Sequence, residues 1–529
     1  MKQKRNWLSL ITSIYVILIL AVHPLIFQDK YHNILNVKYY FYCVCTIGVI
    51  ILTAGYLLMP SSFKQLRSNL KGKKIMQILT PTDLAVIAFA ALALLSALFS
   101  DWKYEAFWGN EGRLSGAFLL TLYALAYFCV VKNLKFRSWY LDVALFSGLL
   151  VCLFGLTDFF QLDLLHFKST ISDAQKRIFT SFIGNINMYT AIVSVYMGAS
   201  SIMWIACRNK WKSALYLANV WITYFALITG ESENAYLALA ASFAFIPLYA
   251  FHTRQGIRRY VILLASFLTS LKVVQLVSII FADKVFPIES LYVSLVHSKL
   301  VVYAMIGLWI LTVILYVWDF KLCKVNINAT SAASQTGMQS DVSPWPLKIW
   351  KILIFIGIIG VLFLLFDVNV LGHGERYGSA SSFLLFNDNW GTNRGYIWRI
   401  ALENYKEFSP LHKLLGHGPD TFGLITLFHN ADEMANVYKM LFDSAHNEYL
   451  QFFVTNGPLG LIAYLAIYIT AFITIIKKAS EKPAVIALMY GVICYSVQAI
   501  VNIGTPITIP IVLTFLYMAL AGCRENVNK

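Results

Sequence analysis

The chain has 529 residues, of which 58% are hydrophobic and only 13% charged, whereas soluble domains carry about 25% charged residues. This much apolar surface excludes a soluble enzyme and a disordered chain. The formal net charge of +15 is compatible with nucleic-acid binding, but in a membrane protein basic residues first report orientation.

Long apolar runs follow one another along the whole chain. A helix needs about 20 apolar residues to cross a bilayer, and fourteen runs approach that length. They lie near residues 8–27, 39–59, 82–100, 115–131, 140–160, 187–207, 213–229, 234–251, 260–281, 293–317, 349–366, 446–476, 483–501 and 506–522. The pattern predicts an all-α polytopic membrane protein with 12–14 transmembrane helices and excludes the short alternating strands of a porin.

The basic residues indicate how these helices are oriented. With the N-terminus in the cytoplasm, strict alternation keeps every large basic cluster on the cytoplasmic side, as the positive-inside rule requires. These clusters lie at 64–74, 132–137, 208–212, 254–259, 321–348 and 477–482. We therefore predict a multi-pass protein of the cytoplasmic membrane with both termini inside. Its basic excess acts in insertion and in attraction to anionic lipid, and no nucleic-acid partner is expected.

The same alternation predicts three parts. These are an N-terminal bundle over 1–366 with a flexible cytoplasmic linker at 318–348, an extracytoplasmic loop over 367–445, and C-terminal transmembrane helices over 446–529. The linker holds a glycosylation sequon at Asn328, on the wrong side of the membrane for use. Function should concentrate in the loop, because every other connection is short.

Within the loop, 395–407 reads as an amphipathic helix, 416–419 as a turn and 424–443 as a second short helix. No two loop histidines show the i, i+4 spacing of a zinc site, so no metal is expected. The eight cysteines lie in apolar runs or on the cytoplasmic side, so no disulfides are expected. Lys272 is the clearest charge within a span, and this scarcity of charge disfavours a transporter.

Polar and basic residues gather instead at the predicted outer face. They include Arg113, Lys176, Arg177, Arg394, Arg399 and His446. Arginine binds phosphate oxygens bidentately, so such a ring suits an anionic lipid-linked substrate; the alternative for each arginine is interfacial anchoring.

His446 is predicted to open a helix, with Asp443 or Ser444 as its cap. A neutral imidazole there can take a hydroxyl proton, and a nearby carboxylate can fix its tautomer; the alternative is an ordinary interfacial histidine. Asn447 and Gln451, four residues apart, are candidates to present amides to a sugar. Aromatic faces, among them those of Tyr449 and Trp398, suit either sugar rings or the membrane interface.

Five short motifs between residues 109 and 463 carry a family resemblance. They are a Gly/Arg/Gly segment at 109–116, Gly-Asn-x-Asn at 184–187, Arg-x-x-x-Trp at 394–398, Gly-x-Gly at 416–418 and His-Asn-x-Tyr-Leu-Gln at 446–451. Their order resembles the O-antigen ligase and O-antigen polymerase superfamily of membrane glycosyltransferases. Two positions depart from it. Glu233 stands where many relatives have an arginine that is thought to help hold pyrophosphate, and Thr455 where many have glutamate.

The resemblance implies a GT-C-like enzyme. It would transfer a glycan from an undecaprenyl (polyprenyl) diphosphate donor to a hydroxyl acceptor at the outer membrane face, without cofactor or metal. His446 would activate the acceptor and Arg394 would clamp the diphosphate, with Arg113, Arg177 and Arg399 as further candidates. A ligase is the leading interpretation and a polymerase of lipid-linked repeat units the alternative. A lipid-linked glycan flippase and an assembly protein without chemistry stay open as less favoured readings.

Overall fold

The computed structural model describes residues 7–72, 78–173, 175–289, 291–327 and 343–524. Its α-helices are Trp7–Ile17, Ile34–Leu58, Pro60–Leu70, Pro81–Leu98, Lys103–Trp108, Ala117–Asn133, Trp139–Phe159, Ile186–Ala206, Lys210–Thr229, Asn234–Ala250, Arg254–Ile280, Leu291–His297, Lys299–Ile327, Trp345–Asn369, Ser381–Leu384, Trp390–Glu407, Pro410–Leu415, Phe422–Glu433, Glu448–Thr455, Gly457–Ala479, Pro483–Gln498 and Ile509–Arg524. Two short antiparallel strands, Phe179–Thr180 and Gly184–Asn185, pair with each other. The predicted all-α polytopic fold is confirmed.

Helices occupy all fourteen predicted runs. Within the described ranges, nine of them are long and apolar enough to cross a membrane. Four shorter apolar helices cover the runs at 8–27, 115–131, 234–251 and 506–522, and the less apolar Lys210–Thr229 covers the remaining one. The number that cross the bilayer, like the three-part division of the chain, stays a prediction.

The predicted cytoplasmic linker begins later than the sequence indicated. The helix Lys299–Ile327 continues past residue 318, and the next helix begins at Trp345. Apolar and aromatic residues continue past the expected end of the span, which favours further helix. Residues 328–342, including the Asn328 sequon, lie outside the described residues.

The centre of the bundle includes the buried helix Ile186–Ala206, of whose most apolar stretch 94% is buried. Small residues let neighbouring helices approach it closely, the usual packing mode where lipid removes any hydrophobic drive between helices. A Cβ atom at Gly198 would lie 2.8 Å from Cys494 Sγ and 2.8 Å from the Tyr490 carbonyl oxygen on Pro483–Gln498. By contrast, Trp345–Asn369 keeps its apolar side chains exposed and lies at the periphery.

Residues 367–445, here called the large loop, fold around their own hydrophobic core. The predicted amphipathic helix is present, but it begins at Trp390 and includes three left-handed residues at 391–393. Its buried face includes Tyr396, Ile397 and Ile400, which share a core with Phe422 from the second loop helix. That second helix, Phe422–Glu433, ends before the predicted 443.

The predicted single span over 446–476 is wrong, because it consists of two helices. The first helix, Glu448–Thr455, ends just before Asn456. The second, Gly457–Ala479, follows with a left-handed φ of +70° at Gly457. A Cβ at Gly457 would lie 2.1 Å from the Leu414 carbonyl oxygen. The backbone of the large loop therefore packs directly against the point where the two helices meet.

The predicted helix cap is wrong as well. Asn447 caps the helix, and its Oδ1 accepts hydrogen bonds from the backbone N–H groups of Tyr449 and Leu450 at 3.1 Å each. An asparagine oxygen in this position satisfies two donors that the first helical turn leaves free. His446 therefore precedes the helix instead of opening it.

Candidate functional site

Three segments meet at one place: 109–116, the Gly-x-Gly turn at 416–418 of the large loop and the residues leading into Glu448–Thr455. Asp420 ties the first two together, since its carboxylate accepts from the backbone N–H groups of Asn110 at 2.8 Å and Ser115 at 2.9 Å. Burial raises the pKa of Asp420 to about 7, although both hydrogen bonds act against the rise. Sequence reasoning missed Asp420, which follows a Gly-Pro turn.

The Gly-x-Gly turn is packed against the end of helix Glu448–Thr455. Gly418 N–H donates to the Thr455 carbonyl oxygen at 2.8 Å. A Cβ at Gly416 would lie 2.2 Å from that same oxygen, and φ at Gly416 is +71°. Close approach and backbone conformation both require glycine here, so this motif serves to assemble the site.

Arg113 and Asp443 form a two-pronged ion pair across the site. Arg113 Nε donates to Asp443 Oδ2 at 3.0 Å, and Nη2 donates to Oδ1 at 2.8 Å. Burial opposes ionisation of Asp443, but the guanidinium outweighs it and lowers the pKa of that carboxyl. A nearby carboxylate can fix the tautomer of His446, but Asp443, three residues before it, accepts its side-chain hydrogen bonds from an arginine 330 residues earlier in the chain.

His446 lies beside two cations. Burial and then the positive charges of Arg113 and Arg394 lower the pKa of His446 to about 4, and Asp443 offsets only part of this. The ring is therefore neutral at neutral pH, as a proton acceptor must be. Its backbone φ of +45° is costly for a residue other than glycine, and such strain is concentrated at functional sites.

Arg394 offers unused hydrogen-bond donors close to His446. Its side chain is only 12% exposed, and its Nη1 lies 3.6 Å from Glu233 Oε2. Nη1 also donates to the Gly391 carbonyl oxygen at 3.1 Å. Its Nε is buried and has no hydrogen-bond partner within the described part of the chain. A buried guanidinium with a free donor favours binding of an anion.

The backbone next to His446 is held from both sides by two of the predicted sugar-binding residues. Trp398 Nε1 donates to the Ala445 carbonyl oxygen at 2.9 Å, and Gln451 Oε1 accepts from the Ala445 N–H at 2.9 Å. Tyr449 is likewise engaged, since its hydroxyl donates to the Ser496 carbonyl oxygen at 2.6 Å. Together with the cap Asn447, these side chains position His446, and their sugar contacts stay a prediction.

Arg177 and Arg399 lie in other ion-pair networks. Arg177 pairs with Glu231 and Glu289, at 3.2 and 3.1 Å, beside a second, smaller cavity. Arg399 binds Asp388 through Nε and Nη2, at 3.0 and 2.9 Å, and also pairs with Glu403 and Glu433. The structure does not bring either guanidinium together with His446.

Asn234, next to the departure at Glu233, belongs to one polar network with the Gly-Asn-x-Asn motif. Asn234 Nδ2 donates to the Asn187 carbonyl oxygen at 3.0 Å and to Gln498 Oε1 at 2.9 Å. Asn502 reaches the same two acceptors. The network joins three helices and leaves neighbouring Glu233 facing Arg394.

A cavity extends from Arg113 and Asp420 into the helical bundle. Its polar wall includes Arg113, Asp420, Ser444 and Gln451, and its apolar wall is made by side chains of helices Pro81–Leu98, Ala117–Asn133, Gly457–Ala479 and Ile509–Arg524. Glu448, another residue that sequence reasoning missed, lies in the wall and accepts hydrogen bonds from the hydroxyls of Tyr464 and Tyr495. The cavity thus joins a polar rim that contains Arg113 to an apolar interior.

Comparison with known families agrees with the motifs. Residues 285–465 match the family model described as O-antigen ligase, a region that contains Arg394, the Gly-x-Gly turn and His446. The resemblance to the O-antigen ligase and polymerase superfamily is thereby confirmed. No curated protein sequence matches the chain significantly.

Proposed function

Because the chain is a multi-pass membrane protein that carries an O-antigen ligase domain over residues 285–465, we propose that it is a ligase of cell-surface polysaccharide assembly. It transfers a glycan from a polyprenyl diphosphate carrier to a hydroxyl acceptor at the outer face of the cytoplasmic membrane. The observation that supports this best is the imidazole of His446 held beside Arg113 and Arg394, since Arg113 also lines a cavity with an apolar interior.

The proposed reaction is one displacement at the anomeric carbon of the donor sugar. The acceptor hydroxyl oxygen forms a bond to that carbon, and the bond to the diphosphate oxygen breaks with its electron pair. His446 takes the hydroxyl proton, while Arg394 and Arg113 stabilise the charge that develops on the departing diphosphate. A single displacement inverts the anomeric configuration.

Donor binding and proton transfer are linked through charge. In the free protein the two guanidiniums hold the pKa of His446 low, which makes it a weak base. A bound diphosphate offsets those positive charges, so the pKa of His446 rises towards its ordinary range as the donor docks. The base is therefore strongest when a substrate is present. The apolar wall of the cavity suits the first isoprene units of the carrier.

Purified protein, lipid-linked oligosaccharide and a candidate acceptor test the proposal. Transfer to an acceptor other than the lipid-linked donor supports the ligase, and a ladder of longer lipid-linked chains identifies a polymerase instead. If no glycan transfer occurs in solution, and the His446→Ala variant still translocates lipid-linked glycan in reconstituted vesicles, the protein is a flippase and neither a ligase nor a polymerase. The His446→Ala variant, which should be inactive, serves as the negative control for glycan transfer.

Arg113→Gln should move the acidic limb of the pH profile of kcat/KM to higher pH. Arg113 disfavours protonation of His446; without it the pKa rises above about 4, and the imidazole is lost as a base at a higher pH than in the unmodified protein. The profile is measured between pH 4 and 8, a window set by this value and the ordinary histidine pKa of about 6.5. Arg208→Gln, an exposed arginine, controls for net charge. A limb that stays in place or moves to lower pH contradicts the assignment.

Glu233→Gln should lower the KM for the donor by about two- to fivefold. The carboxylate is half exposed and lies 3.6 Å from the Arg394 guanidinium, so it competes weakly with diphosphate; exposed pairs contribute about 0.2–1 kcal/mol. Glu403→Gln, which removes a partner of Arg399, is the matched control and should leave KM unchanged. A higher KM in Glu233→Gln would mean that the carboxylate helps the donor bind.

A further inference from the structure

A second cluster of chemically competent side chains lies outside the His446 site. Asp101, His412 and His417 each offer one ligand atom, and all three atoms lie within 4.8 Å of one another. Asp101 follows helix Pro81–Leu98, His412 lies on Pro410–Leu415, and His417 belongs to the Gly-x-Gly turn. The cluster therefore joins the large loop to the bundle.

The buried Nδ1 of His417 is the clearest indication that this cluster suits a ligand. Its Nδ1 is buried and has no hydrogen-bond partner in the described part of the chain, although Asp101 Oδ2 lies 3.2 Å away. The ring of His412 lies alongside, with its centroid 3.8 Å from that of His417. Burial of a polar atom without a well-aligned partner is unfavourable, and a cation bound between the three side chains would give His417 Nδ1 such a partner.

The donor set indicates which cation fits. Two imidazoles and one carboxylate are typical ligands of zinc, whose bonds to them are about 2.0–2.2 Å long. Ligand atoms on such an ion are about 3.3 Å apart, so small side-chain rotations suffice. Asp101 is 64% exposed, which gives an ion access from solvent and leaves room for water. His412 Nε2 lies 3.1 Å from the Phe99 carbonyl oxygen, a contact that orients the ring.

We propose that Asp101, His412 and His417 bind a divalent transition ion of the zinc class. The ion braces the large loop against helix Pro81–Leu98. The turn continues directly into Pro419 and Asp420, which line the main cavity, so the ion also stiffens one wall of the site.

The i, i+4 spacing expected of zinc-binding histidines on one helix does not occur here. His412 and His417 are five residues apart, but the helix ends at Leu415. The left-handed Gly416, with φ +71°, turns the chain so that the second imidazole returns to the first. Spacing along a helix therefore does not describe this pair.

Metal binding is tested on the full chain in detergent, first stripped with chelator and then titrated with ZnCl₂. Calorimetry and metal analysis should find about one zinc per chain, and the midpoint of thermal unfolding should rise with zinc. Asp101→Asn and His417→Ala should each weaken zinc binding at least tenfold, and both should abolish the thermal shift. These readouts are independent of glycan transfer, so they separate failure of this proposal from failure of the proposed function.

His373→Ala provides the matched control, because His373 pairs with Asp367 at 2.9 Å in the same loop region and belongs to no three-ligand cluster within the described residues. It should bind zinc like the unmodified chain. Asp101→Asn changes an exposed side chain and keeps its size, so it reports on binding even where His417→Ala impairs folding. Absence of bound zinc, or zinc retained by the Asp101→Asn and His417→Ala variants, overturns the proposal.

Discussion

His446→Ala is expected to reduce the rate of glycan transfer by about 10²–10⁴-fold, the usual contribution of a positioned general base. The imidazole is the neutral group held beside both guanidiniums, and its pKa of about 4 in the free protein leaves its lone pair available at neutral pH. The measurement is single-turnover transfer from lipid-linked donor to acceptor, with donor saturating so that binding does not limit the rate.

Folding should survive this change. The described residues contain no hydrogen bond to the His446 ring, while the backbone before it is held by Trp398 and Gln451. The variant should therefore elute as a single folded species with an unchanged unfolding midpoint. His446→Gln, which keeps a polar side chain without a basic nitrogen, should be as inactive as the alanine variant. Transfer at the unmodified rate in either variant would remove His446 from the mechanism.

Local pattern was enough to predict most of the helices, for a physical reason. In lipid the backbone must satisfy its own hydrogen bonds, so each long apolar run becomes a helix. The amphipathic face of Trp390–Glu407 could also be predicted from the sequence, because Ile397 and Ile400 recur at helical spacing. The break at Asn456 could not, since it depends on Leu414 crossing at Gly457, a contact that no local period encodes.

The candidate site likewise has features that local sequence predicts and features that depend on tertiary contacts. The family resemblance places His446 and Arg394 first among the candidates, but the local sequence alone does not rank arginines that all follow similar polar segments. Their ranking depends on carboxylates distant in the chain: Asp388 and Glu433 occupy Arg399, and Glu231 and Glu289 occupy Arg177. Within the residues that the structure describes, Glu233 is the one carboxylate paired with Arg394, at 3.6 Å, and the Arg394 Nε has no hydrogen-bond partner. Pairing, which is a tertiary property, is what distinguishes it.

Arg394→Ala is expected to lower kcat/KM for the donor by about 10²–10³-fold, as loss of one preorganised donor to a developing anion does. Arg394→Lys should recover only a small part, because a lysine ammonium is a point charge that cannot bind two phosphate oxygens in a fixed plane. Kinetics with a water-soluble lipid diphosphate analogue measure this. Arg399→Lys, five residues along the same helix, should change kcat/KM less than twofold, since the structure does not bring that guanidinium together with His446. Equal losses at both positions would mean that the helix needs arginine for its fold.

If Arg394 clamps the diphosphate, the effects of changing Arg394 and Glu233 on donor binding should be coupled. A folding defect would not produce this coupling. If Glu233 weakens donor binding by competing for the Arg394 guanidinium, the two- to fivefold gain expected in Glu233→Gln must vanish when Arg394 is already alanine. A double-mutant cycle measures this, because residues in contact show non-additive effects while independent ones add. A gain that persists undiminished in the double variant would show that Glu233 acts on the donor by another route, and Arg394 would then lose its place as the clamp on diphosphate.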